Sequence, residues 1–177
     1  MYSNKVNKYF NQNRRSLIIF FICATLFKTS LSLGQENRGS VTGFPLPRFV
    51  SAKSSKINVR RGPGKEYQVD WVYGLKGNPF LVTAEFGPWR RIEDFQGEGG
   101  WVHYTLISGK RYIIFLFDTN MLHRRPSNKS ASIAIIKKGV VGELISANEH
   151  WVEARINGYS GWVKKNRVWG VNKKEIL

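Results

Sequence analysis

The chain has one cysteine among 177 residues, Cys23, and it lies inside an apolar run near the N-terminus. A disulfide framework and paired-thiol chemistry are therefore excluded within one molecule. Histidine is nearly as scarce. His103, His123 and His150 are the only three, and no two stand at metal-ligand spacing. With no cysteine to assist, the sequence offers no zinc site. Acids are few, 12 against 28 Lys and Arg, and Glu93-Asp94 is the only adjacent acidic pair. Successive strand residues point to opposite faces, so those two carboxylates would not share a substrate. There is no Gly-x-Ser-x-Gly and no phosphate-cradling Gly-rich loop. Arg61-Gly62-Pro63-Gly64 is a turn, and its proline has no N–H to give a phosphate. Nucleophilic catalysis has no activated Ser or Cys to use. No catalytic residue and no cofactor is assigned, and an enzyme is not the reading. Sustained helical periodicity is missing too, which leaves an all-β chain.

Long hydrophobic runs are also lacking. The longest, Leu17–Phe27, is softened by Thr25. At about eleven residues it falls short of the roughly twenty that span a bilayer as a helix. It follows Lys5, Lys8, Arg14 and Arg15 and precedes Ser30, Ser32 and Gly34. That is the order of a secretory signal, so residues 1–34 are expected to be a signal peptide. The mature chain then has no transmembrane segment and no thiol. An exported protein without cysteine points to a bacterial envelope, hence a periplasmic or secreted location. Residues 1–34 hold five of the 28 basic residues and no acid, so the mature chain carries +11. The excess is uneven: +3 over 46–109 and +8 over 110–177. Such a field favours polyanionic partners.

What is abundant is repetition. Gly100-Trp101-Val102 recurs as Gly161-Trp162-Val163, Trp89 as Trp151, Gly77 as Gly139 and Pro63 as Pro126. The offsets drift only from 63 to 61, which identifies a tandem duplication. Residues 35–45, with Gly39, Gly43 and Pro45, read as a disordered leader. The modules are expected at 46–109 and 110–172, with a basic tail at 173–177. Short strands between turn signals fill both. Ile57–Arg60, Val69–Val72, Phe80–Phe86, Trp89–Phe95 and Trp101–Tyr104 form the first set. In the second, Tyr112–Phe117 is an uncharged run of strand length, expected to be buried on both faces at the contact between modules. Asn157-Gly158 signals a tight hairpin. The four repeated tryptophans, 89, 101, 151 and 162, are expected in the cores, where each buries a large area.

Ile57-Asn58-Val59-Arg60, Gly62-Pro63, Lys76-Gly77, Trp89 and Gly100-Trp101-Val102 resemble the bacterial SH3-like (SH3b) family. The second copy keeps Pro126, Lys138-Gly139, Trp151 and Gly161-Trp162-Val163 but opens with Met121-Leu122-His123. The ending Val168-Trp169-Gly170-Val171 is similar to a two-copy exported subgroup of unassigned function. The resemblance implies a five- or six-stranded SH3-like barrel in each copy and a binding role toward the cell wall. Modules of about sixty residues are near the lower limit for a single core and are therefore expected to pack side by side. The aromatic slots that eukaryotic relatives use for proline-rich peptides are missing.

Two surfaces stand out as candidates. Arg60, Arg61, Tyr67, Trp71 and Tyr73 cluster in the first module, where strand alternation would put 67, 71 and 73 on one face. Trp71 has no aromatic counterpart in the second copy, where Ile133 or Ala134 stands at the offset. Lys164, Lys165, Arg167, Lys173 and Lys174 form a basic cluster suited to a polyanion. Export argues against nucleic acid there and favours a wall polymer or an anionic membrane surface. The expected partner is a cell-wall polymer such as peptidoglycan. An envelope or host protein that uses the chain as a scaffold is the alternative.

Overall fold

In the computed structural model residues 37–177 are described, and the expected signal peptide, 1–34, lies outside them. The first seven strands are β1 Arg48–Ala52, β2 Ile57–Arg60, β3 Val69–Tyr73, β4 Pro79–Phe86, β5 Trp89–Glu93, β6 Gly99–His103 and β7 Ile107–Ser108. The next seven are β8 Tyr112–Phe115, β9 Asn120–His123, β10 Ser132–Ile136, β11 Val141–Ala147, β12 Trp151–Ile156, β13 Tyr159–Lys164 and β14 Val168–Trp169. They form two seven-stranded sheets, β3-β2-β6-β5-β4-β1-β7 and β10-β9-β13-β12-β11-β8-β14. The second order repeats the first strand for strand. A 3-10 turn, Tyr104–Leu106 or Lys165–Arg167, precedes the last strand of each. Two tandem SH3-like barrels result, as expected, but with seven strands each instead of five or six, because the short closing strands β7 and β14 count as well. Asn157 and Gly158 make the expected hairpin, both at positive φ.

The glycine of each Gly-Trp-Val step marks where two strands cross at close range. A Cβ on Gly100 would lie 2.6 Å from the Arg60 carbonyl, and one on Gly161 would lie 2.6 Å from the Leu122 side chain. The valine that follows, Val102 or Val163, is fully buried. The tryptophan is not. Trp101 and Trp162 point to the opposite side from those valines and are only half-buried. They correct the expectation of core tryptophans: strand alternation sends the valine inward and the indole outward.

Each core contains one fully buried phenylalanine, and the two come from different strands. In the first barrel it is Phe80 on β4, with Ala52 at the end of β1. In the second it is Phe115 on β8, at the position of Ala52, while Gly142 takes the place of Phe80. The exchange keeps the summed core volume to within one methyl group, close to the kind of change a core tolerates best.

Residues 36–177 form one compact body. Strand β8 is buried on both sides, Ile113 and Phe115 entering the second core and Ile114 only 5 % exposed. The run expected to be buried through Phe117 nevertheless ends as a strand at Phe115, and Phe117 is exposed. Beyond it, Phe49 meets Trp169 edge-on at 5.0 Å between ring centres. The Arg111 guanidinium lies over Phe49 at 5.4 Å. The Ser51 hydroxyl donates to the Lys110 carbonyl at 2.6 Å. At the same seam Gly170 has φ 114°, and a Cβ there would lie 2.3 Å from the Tyr112 carbonyl and 3.3 Å from Pro79. Two cores near the lower size limit thus support each other.

Residues 37–45 are not a disordered leader. Arg38 bridges to Pro45, and the loop closes on Glu85. The Glu85 carboxylate accepts from Val41 N, Thr42 N, the Thr42 hydroxyl and Arg48 at 2.7–3.0 Å. Arg90 lies 3.5 Å away, and the Glu85 side chain is fully buried. Burial alone would push this carboxyl up. The hydrogen bonds from Thr42, Arg48 and Val41 overcome that and hold it at about 2, against an ordinary 4.5. Gly and Pro suggested a broken chain, yet the backbone donors they free find a buried acceptor.

Candidate functional site

Cross-strand neighbours share a face of a sheet. Arg60 on β2 stands opposite Trp101 on β6, and Trp89 on β5 stands opposite His103 on β6. Arg60, Trp101, His103 and Trp89 therefore occupy the outer face of the first barrel. A cleft of about 380 Å³ opens there, lined by Asn58, Arg60, Lys65, Trp89, His103 and Thr105, and closed by Leu106. Trp89 is its floor, 8 % exposed. The His103 ring meets Trp89 edge-on at 5.5 Å, and its Nδ1 is 2.8 Å from the Thr105 hydroxyl. Arg60 Nη1 donates to the carbonyls of Lys65 and Tyr67, fixing the loop that forms the cleft wall.

The second barrel has its counterpart in two adjoining clefts of about 340 and 800 Å³, which share Asn128 and Lys164. His123 stands at the position of Arg60. Its Nδ1 donates to the Ser130 carbonyl at 3.0 Å, the loop carbonyl equivalent to that of Tyr67. The loop is thus pinned in both copies although the residue differs. His123 meets Trp151 edge-on at 5.4 Å, and the Lys164 ammonium lies 5.9 Å over the same ring. Lys164 occupies the position of His103. The two barrels have therefore exchanged a cation and an imidazole between neighbouring strands: Arg60 and His103 in one, His123 and Lys164 in the other. Both keep one of each beside a buried tryptophan.

The five residues expected on one face of the first module are divided. Trp71 stands opposite Val59 and Tyr73 opposite Ile57, on the core side of β3. Tyr73 packs edge-on against Phe80 and donates to Asp94 at 2.9 Å. Burial and that carboxylate raise its hydroxyl far above the usual range. Trp71 lies at the open edge of the sheet and is 47 % exposed. Arg60 faces outward into the cleft. Arg61 pairs with Asp70 at 2.6 Å, and the exposed Tyr67 ring covers Gly62. A bulge between Val59 and Arg60 breaks the alternation that the single-face expectation needs.

The basic cluster is divided as well. Lys164, Lys173 and Lys174 are exposed, and Arg167 is half-buried. Lys165 is buried and donates its three protons to the carbonyls of Asn148, Lys173 and Glu175. Residues 173–177 are accordingly no free tail. Leu177 and Ala147 exchange backbone hydrogen bonds, and Glu175 pairs with Arg111 at 2.6 Å. Lys165→Met should cost about 1.5–3 kcal/mol, because charged hydrogen bonds are lost and buried carbonyls are left bare. Urea denaturation checks this, and affinity for any polyanion should stay at the wild-type value.

Sequence reasoning missed Lys65, Trp89, His103 and Thr105 as cleft residues, and Met121, His123 and Asn128 in the second copy. The reciprocal placement of His and cation at repeat-equivalent positions was the available signal.

A family model described as bacterial SH3 domain matches residues 53–109 and again 118–170. No curated protein matches the chain. Among solved structures, NlpC2 from Trichomonas vaginalis is similar at 8 % identity and a TM-score of 0.32, over 69 % of this chain and 48 % of that one. An NlpC/P60 family protein from Bacillus cereus is similar at 12 % identity and a TM-score of 0.30, over 68 % and 55 %. The chain thus spans about half the length of these proteins. Among the described residues no helix is long and apolar enough to cross a membrane, and no group of three or more His, Cys, Asp or Glu could hold a metal ion.

Proposed function

The chain belongs to the bacterial SH3 domain family, in two copies, and from that membership we propose that it is an exported, non-catalytic binding module that contacts peptidoglycan or another cell-envelope polymer. Domains of this family are cell-wall binding modules. The observation that carries the reading is the recurrence of one cleft on both barrels, at equivalent positions and with a cation, an imidazole and a tryptophan in each. A repeating polymer is the kind of ligand that makes two such clefts useful, since the second contact is made at high effective concentration. Trp71, exposed at the open edge of the sheet and on the other face from the cleft, would supply a separate apolar contact.

Purified sacculi should retain the protein at low salt. His103→Ala and Trp71→Ala should each lower the retained fraction several-fold. Recovery of the wild-type protein in the supernatant at low salt rejects the reading.

A second reading rests on β10. It is an edge strand without charge, Ser132–Ile136, with Ile133 40 % and Ile135 62 % exposed beside an exposed Met121. Such an edge can pair with a strand of another protein. One dominant protein crosslinked to β10 in cells would favour this scaffold role over the polymer.

A further inference from the structure

We propose that the cleft of the second barrel is an oxyanion site, with Arg167 as its anchor and Lys164 as the second cation, and that it takes a carboxylate or phosphodiester carried on an extended polymer. The inference rests on the polymer-binding reading and names the chemistry of its second contact.

The argument begins with a pair of residues that the fold does not require. In the first barrel Ile57 is fully buried, and Leu106 packs against the same core. The equivalent residues in the second barrel are Asn120 and Arg167. Asn120 is also fully buried. Its Nδ2 donates to the carbonyls of Phe117 and Ile136, at 2.5 and 3.0 Å, and its Oδ1 accepts from Arg167 Nε at 3.2 Å. Arg167 Nη2 donates to the Thr119 carbonyl at 2.5 Å, and the guanidinium lies 4.3 Å over the Phe117 ring. An apolar pair is the cheaper solution at this place, as the first barrel demonstrates, because a buried amide must have every hydrogen bond met. The polar pair achieves something else. It fixes a guanidinium in one orientation at the rim of a cleft.

Arg167 lines that cleft with Thr119, Met121, His123, Asn128 and Lys164. Among the described residues Nη1 bonds to nothing, and neither Arg167 nor Lys164 has a carboxylate partner. Arg48, Arg61, Arg90, Lys110, Arg111 and Arg155 each face an acid. What distinguishes Arg167 among the cations that do not is that Asn120, Thr119 and Phe117 hold its guanidinium in place. A fixed guanidinium gives up less conformational freedom on binding than a free one, and its fork suits carboxylate and phosphate oxygens. The first barrel, with Leu106 in that place, lacks the anchor.

The test titrates the purified protein with three probes: a glutamate oligomer, a glycerol-phosphate oligomer and a neutral chitooligosaccharide. At least one anionic probe should bind, more weakly as salt rises, and which one binds identifies the source of the oxyanion. The double variant Asn120→Ile/Arg167→Leu copies the first barrel's own pair and should keep the wild-type circular dichroism. It should lower affinity for that probe at least tenfold. Lys164→Ala, a surface change, should lower it severalfold and serves if the double variant does not fold. Lys138→Ala removes the same charge from an exposed turn that does not line the cleft and should change nothing. Equal losses from Lys138→Ala and Lys164→Ala, or no binding of either anionic probe, overturn the proposal. Sacculi supply the separating measurement. If they retain the wild type and the double variant alike, the oxyanion site is rejected as a wall contact and the binding reading stands. If they retain neither protein while an anionic probe binds as described, the wall reading fails and the site stands.

Discussion

Glu85→Ala should destabilise the protein by about 3–5 kcal/mol, the cost of leaving buried cations without their counter-charge. Arg48 and Arg90 both converge on this carboxylate, which also closes the loop at residues 41–42. The loss should appear as a lower urea midpoint. Protease cutting near Thr42 should rise with it, because the loop loses its acceptor. The pH dependence has a definite sign. The carboxyl is depressed from 4.5 to about 2 in the folded protein. Its contribution is therefore complete above pH 4.5 and is lost as pH falls from 4.5 toward 2, where the folded form takes up the proton. Wild-type stability should decline through that window, and Glu85→Ala should lack this part of the decline. Parallel curves for the two proteins would contradict the assignment.

Gly170→Ala should cost about 4 kcal/mol. Holding a side chain at φ 114° accounts for about 1–3 kcal/mol, and displacing the Tyr112 backbone that a Cβ would meet at 2.3 Å accounts for a further 1–3 kcal/mol or so. The damage should be local to the seam. Protection of β1 and β8 amides against hydrogen exchange should fall first, while β5 and β12, remote from Gly170 in their sheets, keep theirs. Gly109→Ala, with open space around it, should be nearly neutral.

The periodic part of the fold was readable because it is local. Turn glycines and alternating strands are signals spread over a few residues, and the tryptophans recur at offsets of 62 and 61. Together they placed the duplication and the main strands from Ile57 onward, but not β1. The short closing strands β7 and β14 and the two 3-10 turns have no period to detect. Trp101 and Trp162 misled because size suggests burial, while their face is set by alternation against Val102 and Val163; Trp89 and Trp151 are buried as expected. Lys165 misled in the opposite sense. Its charge suggested solvent, yet three carbonyls from two loops surround it. What one sequence could not display is compensation across strands. Ala52 with Phe80 against Phe115 with Gly142, and Ile57 with Leu106 against Asn120 with Arg167, look like unrelated differences until the strands that join them are known. The departures at the start of the second copy, read as loss of a motif, belong to such exchanges.

The seam between the barrels also sets the order in which the molecule can be completed. Among the described residues Phe49 belongs to the first strand to be made and Trp169 to the last. Until β14 emerges, the first barrel can close around its own core but must carry Phe49 and Pro79 bare to water. The early half of the chain therefore waits, incompletely covered, for the late half. That surface is covered only once β14 has docked on β8.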